Sequence, residues 1–348
     1  MSASAAPPLQ HAIRRLAAGA SLTTDESRTA FDAVMSGEAT SAQIAALLVG
    51  LRVKGETPDE VAGAAAALRS AMVHLPADRP EDLVDTCGTG GGSVGTFNIS
   101  TAAALLAAGS GVRVAKHGNR SFTSQCGSAD VLEALGVPIE VSVTVMERAL
   151  REAGIVFMFA PLMHPAMRHV GPVRRELGVP TVMNIVGPLA NPAGAGRQVV
   201  GVADARRVPL IAGALQALGT RHALVVHGEP GMDEISPLGL TQVIEIREGS
   251  AREWSIDPSR FGFGGGREEE LAGGPPADNA AAIRAVLAGE APPTARAAVL
   301  LNAAAAVFVS SSAMSEFGDA LDLVHEALRS GAGLDALNRL RAAFTAPG

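Results

Sequence analysis

The sequence predicts an α/β protein built from a small N-terminal helical domain and a large α/β domain with a mostly parallel central sheet. Three observations predict it. Helix-start signals crowd residues 10–72, a proline-bearing stretch follows, and beyond it apolar, β-rich runs alternate with helical stretches, the pattern of a sheet covered by helices.

The helical starts are set by capping chemistry. Thr23 has Glu26 three residues on, Thr40 has Gln43, and Thr57 has Pro58 next and Glu60 three on. In each pair the hydroxyl and the carboxylate or amide satisfy otherwise unpaired N–H groups, and Pro58 stands where a missing N–H costs nothing. Gly37 and Gly55 mark stops. Ile44, Leu47, Leu48 and Leu51 give one helix a face to bury, but the segment is too small for a generous core of its own, so it packs on the rest of the chain or on a second copy. Pro76 and Pro80 mark the way out, which divides the chain into residues 1–75 and 76–348. Strands are expected at 83–87, 112–115, 155–159, 199–202 and 223–226, with a helix over 101–108. Residues 261–277 read as a long glycine-rich loop, and helices return from Asp278.

Composition narrows the function classes. The 348 residues are 47% hydrophobic, enough for a substantial core, and the net charge of −7 with a pI near 5.7 argues against gripping nucleic acid, which needs a concentrated basic face. Two cysteines, Cys87 and Cys126, give neither a disulfide framework nor zinc spacing and fit a reducing cytosol. The N-terminal MSASAAPPLQHAIRR has no signal-type apolar core. The longest apolar run, 303–309, falls short of the ~18–20 residues that cross a bilayer, so a cytoplasmic protein without a membrane partner is expected. Tyrosine is absent and aromatics make up only 3%, so an aromatic ligand would be held by aliphatic walls and polar groups.

Four motifs carry chemistry. GTGGGSVGTFNIST, residues 88–101, runs from a strand into a helix, where backbone N–H groups meet the positive end of the helix dipole and glycine admits close approach of an anion. Asn98, Ser100 and Thr101 add donors at the helix start. Gly90, Gly92 and Gly95 formally match the dinucleotide fingerprint, but no acidic residue lies about twenty positions on, and no Lys-Ser or Lys-Thr completes a P-loop. A ligand-free glycine turn is the bland alternative. The second motif, KHGNRS at 116–121 continuing to Ser124 and Ser128, is a cationic, hydroxyl-rich loop: a phosphate contact with Lys116 as a point charge, or a surface cluster. His117 there is an orienting donor or a proton carrier. In the third, HPAMRHVGPVRRELG at 164–178, His164 and His169 lack zinc-helix spacing, while Arg174 and Arg175 face different ways, leaving either a fork for a substrate carboxylate or a solvated face. In the fourth, HGEPGMDEIS at 227–236, Asp233 and Glu234 are adjacent carboxylates suited to a magnesium ion that already carries diphosphate oxygens, or an ordinary acidic turn. Gly88, Lys116 and His227 each follow a predicted strand, so these motifs can meet in one crevice at the strands' carboxyl ends.

Taken together with NIVGPLANP at 184–192, these motifs stand in the order and spacing of one family, and over nearly its whole length the chain resembles the anthranilate phosphoribosyltransferases. The resemblance implies a segment near 163–178 that returns to the helical domain, a homodimer formed through the helical part, and transfer of the phosphoribosyl group from 5-phosphoribosyl 1-diphosphate to the amine of anthranilate, an early step of tryptophan biosynthesis. By motif it places Gly88, Gly91, Gly92, Thr96, Asn98, Ile99, Ser100 and Thr101 on the phosphoribosyl donor. Lys116, His117, Gly118, Asn119, Arg120, Ser121, Phe122, Thr123, Ser124 and Ser128 join them. It places Gly88, Asn119 and Arg174 on anthranilate, makes Lys116, Asn119 and Arg174 the catalytic set, and gives Mg2+ to Ser100, Asp233 and Glu234. Many relatives have Asp-Gly where this chain has Gly92-Ser93, so a donor contact at Gly92 is expected through backbone alone; Pro180 replaces a common arginine, and Cys126 a small hydroxyl residue. Two rivals share the architecture. A pyrimidine-nucleoside phosphorylase suits the GPVRRELG helix and DEIS turn less well, and a catalytically silent nucleic-acid-binding relative is at odds with the acidity and the intact Asp233-Glu234 pair.

Overall fold

The computed structural model describes residues 7–121 and 125–345. Four helices open the chain: α1 (Pro8–Ala17), α2 (Thr24–Met35), α3 (Ser41–Lys54) and α4 (Pro58–Ser70). Thr23, Thr40 and Thr57 each form the reciprocal capping box expected of them, Gly55 closes α3, and Gly37 takes a positive φ just beyond α2. Glu60 does more than cap. Its buried carboxylate accepts from Leu22 N–H at 2.9 Å and Thr57 N–H at 2.8 Å and pairs with Lys54 Nζ at 2.9 Å, joining α3 and α4 to the loop before α2.

The rest is a seven-stranded sheet wrapped by helices. The strands are β1 (Val84–Gly88), β2 (Val114–Gly118), β3 (Ile155–Phe159), β4 (Arg197–Gly201), β5 (His222–Gly228), β6 (Thr241–Arg247) and β7 (Ser250–Ile256). Their order is β3-β2-β1-β4-β5-β6-β7; the first five run parallel, and β6 and β7 add an antiparallel edge. The helices are α5 (Ile99–Gly109), α6 (Ser128–Ala134), α7 (Val143–Ala153), α8 (Ala160–Met163), α9 (Gly171–Leu177), α10 (Val208–Ala217), α11 (Pro276–Leu287), α12 (Pro293–Ser310), α13 (Phe317–Arg329) and α14 (Ala332–Thr345). Helix α12 is long and apolar enough to cross a membrane, but 83% of it is buried inside the fold.

Strand alternation divides the interior into two cores. Val199, Leu224, Val226 and Val243 join α5 and α12–α14 on one face. Val200, Ala223, Val225, Ile244 and Ile246 join α10, the four N-terminal helices and residues from Ala166 to Ala190 on the other. The segment near 163–178 therefore packs with the helical part, with α9 against α3.

Two expectations need correction. Strand β2 runs on to Gly118, so Lys116 and His117 are strand residues and not part of a loop. The β6–β7 hairpin was not expected; it turns through Glu248 and Gly249, both at positive φ, a two-residue turn matched to strand twist.

Candidate active site

A crevice of about 1500 Å³ opens at the carboxyl ends of β1 and β2 and is walled on the far side by residues of the helical core. Among the sequence-predicted residues, Gly88, Gly91, Gly92, Thr96, Asn98, Ser100, Lys116, His117, Gly118, Asn119, Arg120, Ser121, Ser128, Arg174, Asp233 and Glu234 line it. Ile99 and Thr101 do not: both side chains are buried on the inner face of α5, and the Thr101 hydroxyl has no partner among the described residues. Phe122, Thr123 and Ser124 lie outside the described residues.

The glycine loop is held from below. Gly90 and Gly91 take positive φ, Thr89 N–H donates to the Gly201 carbonyl at 2.9 Å, and Thr96 bridges to Ala272. Asn98 does not cap α5 with its side chain, as its position suggested. Instead its Nδ2 donates to the Cys126 carbonyl at 3.1 Å and its Oδ1 accepts from Asn279 Nδ2 at 3.0 Å, which ties α5 to the neighbouring loop and to α11.

Lys116 is buried in the crevice wall and donates to the Thr86 carbonyl at 2.5 Å and to Ser100 Oγ at 3.2 Å, which holds its charge beneath the loop. Burial lowers its pKa, opposed by the nearby Asp85. Asp85, also buried, is pushed up to about 6 by burial, against hydrogen bonds from Asn191 Nδ2 at 2.8 Å and His117 N–H at 3.1 Å. His117 and His164 face each other with ring centroids 4.8 Å apart. Burial lowers their pKa values to about 3 and about 4, which favours the neutral form of both rings.

Asp233 and Glu234 sit on the turn after β5. Asp233 Oδ2 accepts from Gly90 N–H at 2.8 Å. Burial raises both carboxyls, and for Glu234 the charge of Asp233 adds to it, to about 8. The turn fits only because of glycine beneath it: a Cβ at Gly201 would lie 1.7 Å from the Asp233 carbonyl oxygen, and one at Gly88 2.5 Å from Oδ2. Two desolvated, mutually repelling carboxylates beside a hydroxyl form a hard-oxygen donor set that a divalent cation would relieve. Among the described residues no third His, Cys, Asp or Glu joins them, so such an ion would need ligand and water oxygens to complete its shell.

Across the crevice, α9 presents Arg174, half-buried and without an ion-pair or hydrogen-bond partner among the described residues. Arg120 differs. Its guanidinium pairs with Asp130 at 2.8 Å and Glu133 at 2.6 Å and lies over the Phe159 ring, so its charge is already balanced by protein carboxylates. The Asn119 carbonyl accepts from Ala129 N–H and Ser128 Oγ, fixing the loop to α6. Sequence reasoning missed Asp85, Asn191, Asn279, His164 and Gly201 as site-building residues. A carboxylate inside an apolar strand is a signal for Asp85; the others have partners far away in sequence.

The helical bundle and the sheet with its crevice define a class. Residues 10–72 match the helical bundle domain of the glycosyl transferase family and residues 80–334 its a/b domain. The chain is 54% identical over 242 residues to an anthranilate phosphoribosyltransferase of Herpetosiphon aurantiacus, covering 69% of this chain and 71% of the relative. It is 53% identical over 254 residues to that of Rubrobacter xylanophilus, covering 73% and 74%. The crystal structure of the Thermus thermophilus anthranilate phosphoribosyltransferase superposes with a TM-score of 0.90 at 42% identity, over 96% of this chain and 99% of that one. The Saccharomyces cerevisiae enzyme in complex with PRPP and Mg does so at 0.86 and 25% identity, over 97% and 98%. The chain belongs to the anthranilate phosphoribosyltransferase family.

Proposed function

We propose that the chain transfers the phosphoribosyl group of 5-phosphoribosyl 1-diphosphate to anthranilate with Mg2+, giving N-(5-phosphoribosyl)anthranilate and pyrophosphate. One observation carries the assignment of ends. A single crevice holds an anion-cradling glycine loop beside two carboxylates at one side and an unpaired arginine at the other. The first arrangement suits a metal-bound diphosphate and the second an acceptor carboxylate.

Breaking the C1–diphosphate bond leaves oxocarbenium character on the ribose and negative charge on the departing diphosphate. The glycine-loop amides bind that charge, and buried Lys116 adds a positive field from 3.2 Å behind Ser100. Asp233, Glu234 and Ser100 would hold the magnesium ion, which supplies charge neutralisation when bound. Arg174 and Asn119 orient anthranilate for attack of its amine on C1, and the neutral His117 and His164 rings wall the acceptor end. An aromatic amine is unprotonated at neutral pH, so no strong base is required. We also assign a homodimer formed through the helical part and a cytoplasmic location; four of the large exposed apolar side chains, Val53, Val73, Leu162 and Val179, lie in or beside that part.

The test is the loss of anthranilate fluorescence by purified protein supplied with phosphoribosyl diphosphate and Mg2+. Donor- and metal-dependent loss is expected; no donor-dependent loss overturns the assignment.

A further inference from the structure

The glycine loop and the carboxylate-bearing turn meet without an intervening side chain at position 92, where a Cβ would lie 3.1 Å from the Gly231 carbonyl oxygen and 3.4 Å from Asp233 Oδ1. Their spacing is set one residue further on. Ser93 N–H donates to the Gly231 carbonyl at 2.9 Å, and the Ser93 hydroxyl lies 3.1 Å from the Pro230 carbonyl oxygen and 3.3 Å from that of Gly231. Glycine at 231 makes room for this, since a Cβ there would stand 2.5 Å from Ser93 Oγ.

The base of the turn has separate anchors. Gly228 and Met232 exchange backbone hydrogen bonds, and Ile235 is gripped on both its N–H and its carbonyl by the Asn302 amide. The tip, residues 230–233, is tied within the turn through Gly228 and to the loop through Ser93 and the bond from Gly90 N–H to Asp233 Oδ2. Ser93 itself is exposed and is not part of the crevice lining.

We propose that Ser93 is a positioning residue for the diphosphate end of the site. Its amide and hydroxyl clasp the tip of the 229–234 turn to the glycine loop, which holds Asp233 and Glu234 in place to share a cation with the donor. The functional half of this rests on reading the crevice as a phosphoribosyl diphosphate site; the clasp does not. Removing the hydroxyl takes away one tether and loosens the tip, while the Ser93 N–H bond to the Gly231 carbonyl, the Gly90–Asp233 bond, the Asn302 anchor and the fold stay in place.

The experiment compares the full-length protein with Ser93→Ala by hydrogen exchange without ligands and by steady-state kinetics. Loss of one hydrogen bond corresponds to about three- to tenfold faster exchange at Gly90, Gly231 and Met232, and to a rise of about the same factor in half-saturating Mg2+ and in donor KM. The saturated rate and the anthranilate KM stay at parental values. Unchanged exchange at those amides overturns the clasp. Faster exchange with unchanged donor KM and Mg2+ requirement, or a fall in kcat alone, overturns its positioning role. A parent protein with no donor-dependent turnover overturns the reading of the site, and hydrogen exchange still decides the clasp.

Discussion

Arg174 is a charge without a counter-ion among the described residues. Burial lowers its pKa, but a guanidinium stays protonated, so the cost of partial desolvation stands until an anion arrives. A carboxylate placed against it gains a charge-assisted and geometrically specific contact. Arg174→Ala is expected to cost about 1.5–3 kcal/mol in anthranilate kcat/KM, roughly ten- to hundredfold, with donor KM unchanged. Steady-state titration of each substrate checks this; unchanged acceptor kinetics would remove Arg174 from the acceptor site. Its place at the crevice was legible because its motif is distinctive. Lys116 was legible as a member of the site and illegible in its action. Its partners Asp85, Thr86 and Ser100 come from a neighbouring strand and a helix start, and only the pairing of β1 with β2 reveals that the ammonium points under the loop.

At the scale of elements, β3 and β5 were readable because burial on both faces makes them near-continuous apolar runs, whereas β1, β2 and β4 showed only through short apolar stretches that end in glycine. The antiparallel edge was not. Strand β7 is mostly exposed, its sequence SAREWSI is polar, and Glu-Gly is a weaker turn signal than Asn-Gly. That edge is secured by Glu245, buried on β6, which meets His222 Nε2 of β5 at 3.0 Å and Arg252 of β7 at 2.7 Å and accepts from Trp254 Nε1 at 3.1 Å. Burial alone would raise its pKa, but the hydrogen bonds from His222 and Arg252 overrule it and hold the carboxyl near about 2, against 4.5 for the free group. A depressed folded-state pKa contributes stability that is complete above about 4.5 and lost as pH falls towards about 2. Melting temperatures from pH 6 to pH 2.5 are expected to fall more steeply for the parent than for Glu245→Gln, which has no carboxyl to titrate. Parallel curves would show that this cluster does not govern acid stability of the sheet edge.

At the scale of the whole molecule, the sheet separates two cores and the crevice lies where they meet, so the glycine loop and the Asp233-Glu234 turn are built on one and Arg174 stands on the other. The helical core is not a free-standing bundle. It takes in one face of β4, β5 and β6 together with residues 166–190, a continuity that capping boxes show only at the helix starts, because they carry no information about what a helix packs against. Sharing the sheet buries the inner faces of α1–α4 and leaves their outer side to solvent in a single chain. Val53, at the C-terminal end of α3, is 82% exposed, and Val179, just beyond α9, is 50% exposed; α3 and α9 touch. If a second copy covers this side of the helical part, as proposed, Val53 is a candidate for the contact. Light scattering after size exclusion is expected to give twice the 35.3 kDa chain mass for the parent and a shift towards the single-chain mass for Val53→Asp, which places a charge where an apolar contact is required. A parent that elutes as one chain, or a Val53→Asp protein as firmly paired as the parent, would move the subunit contact away from this face of the helical part.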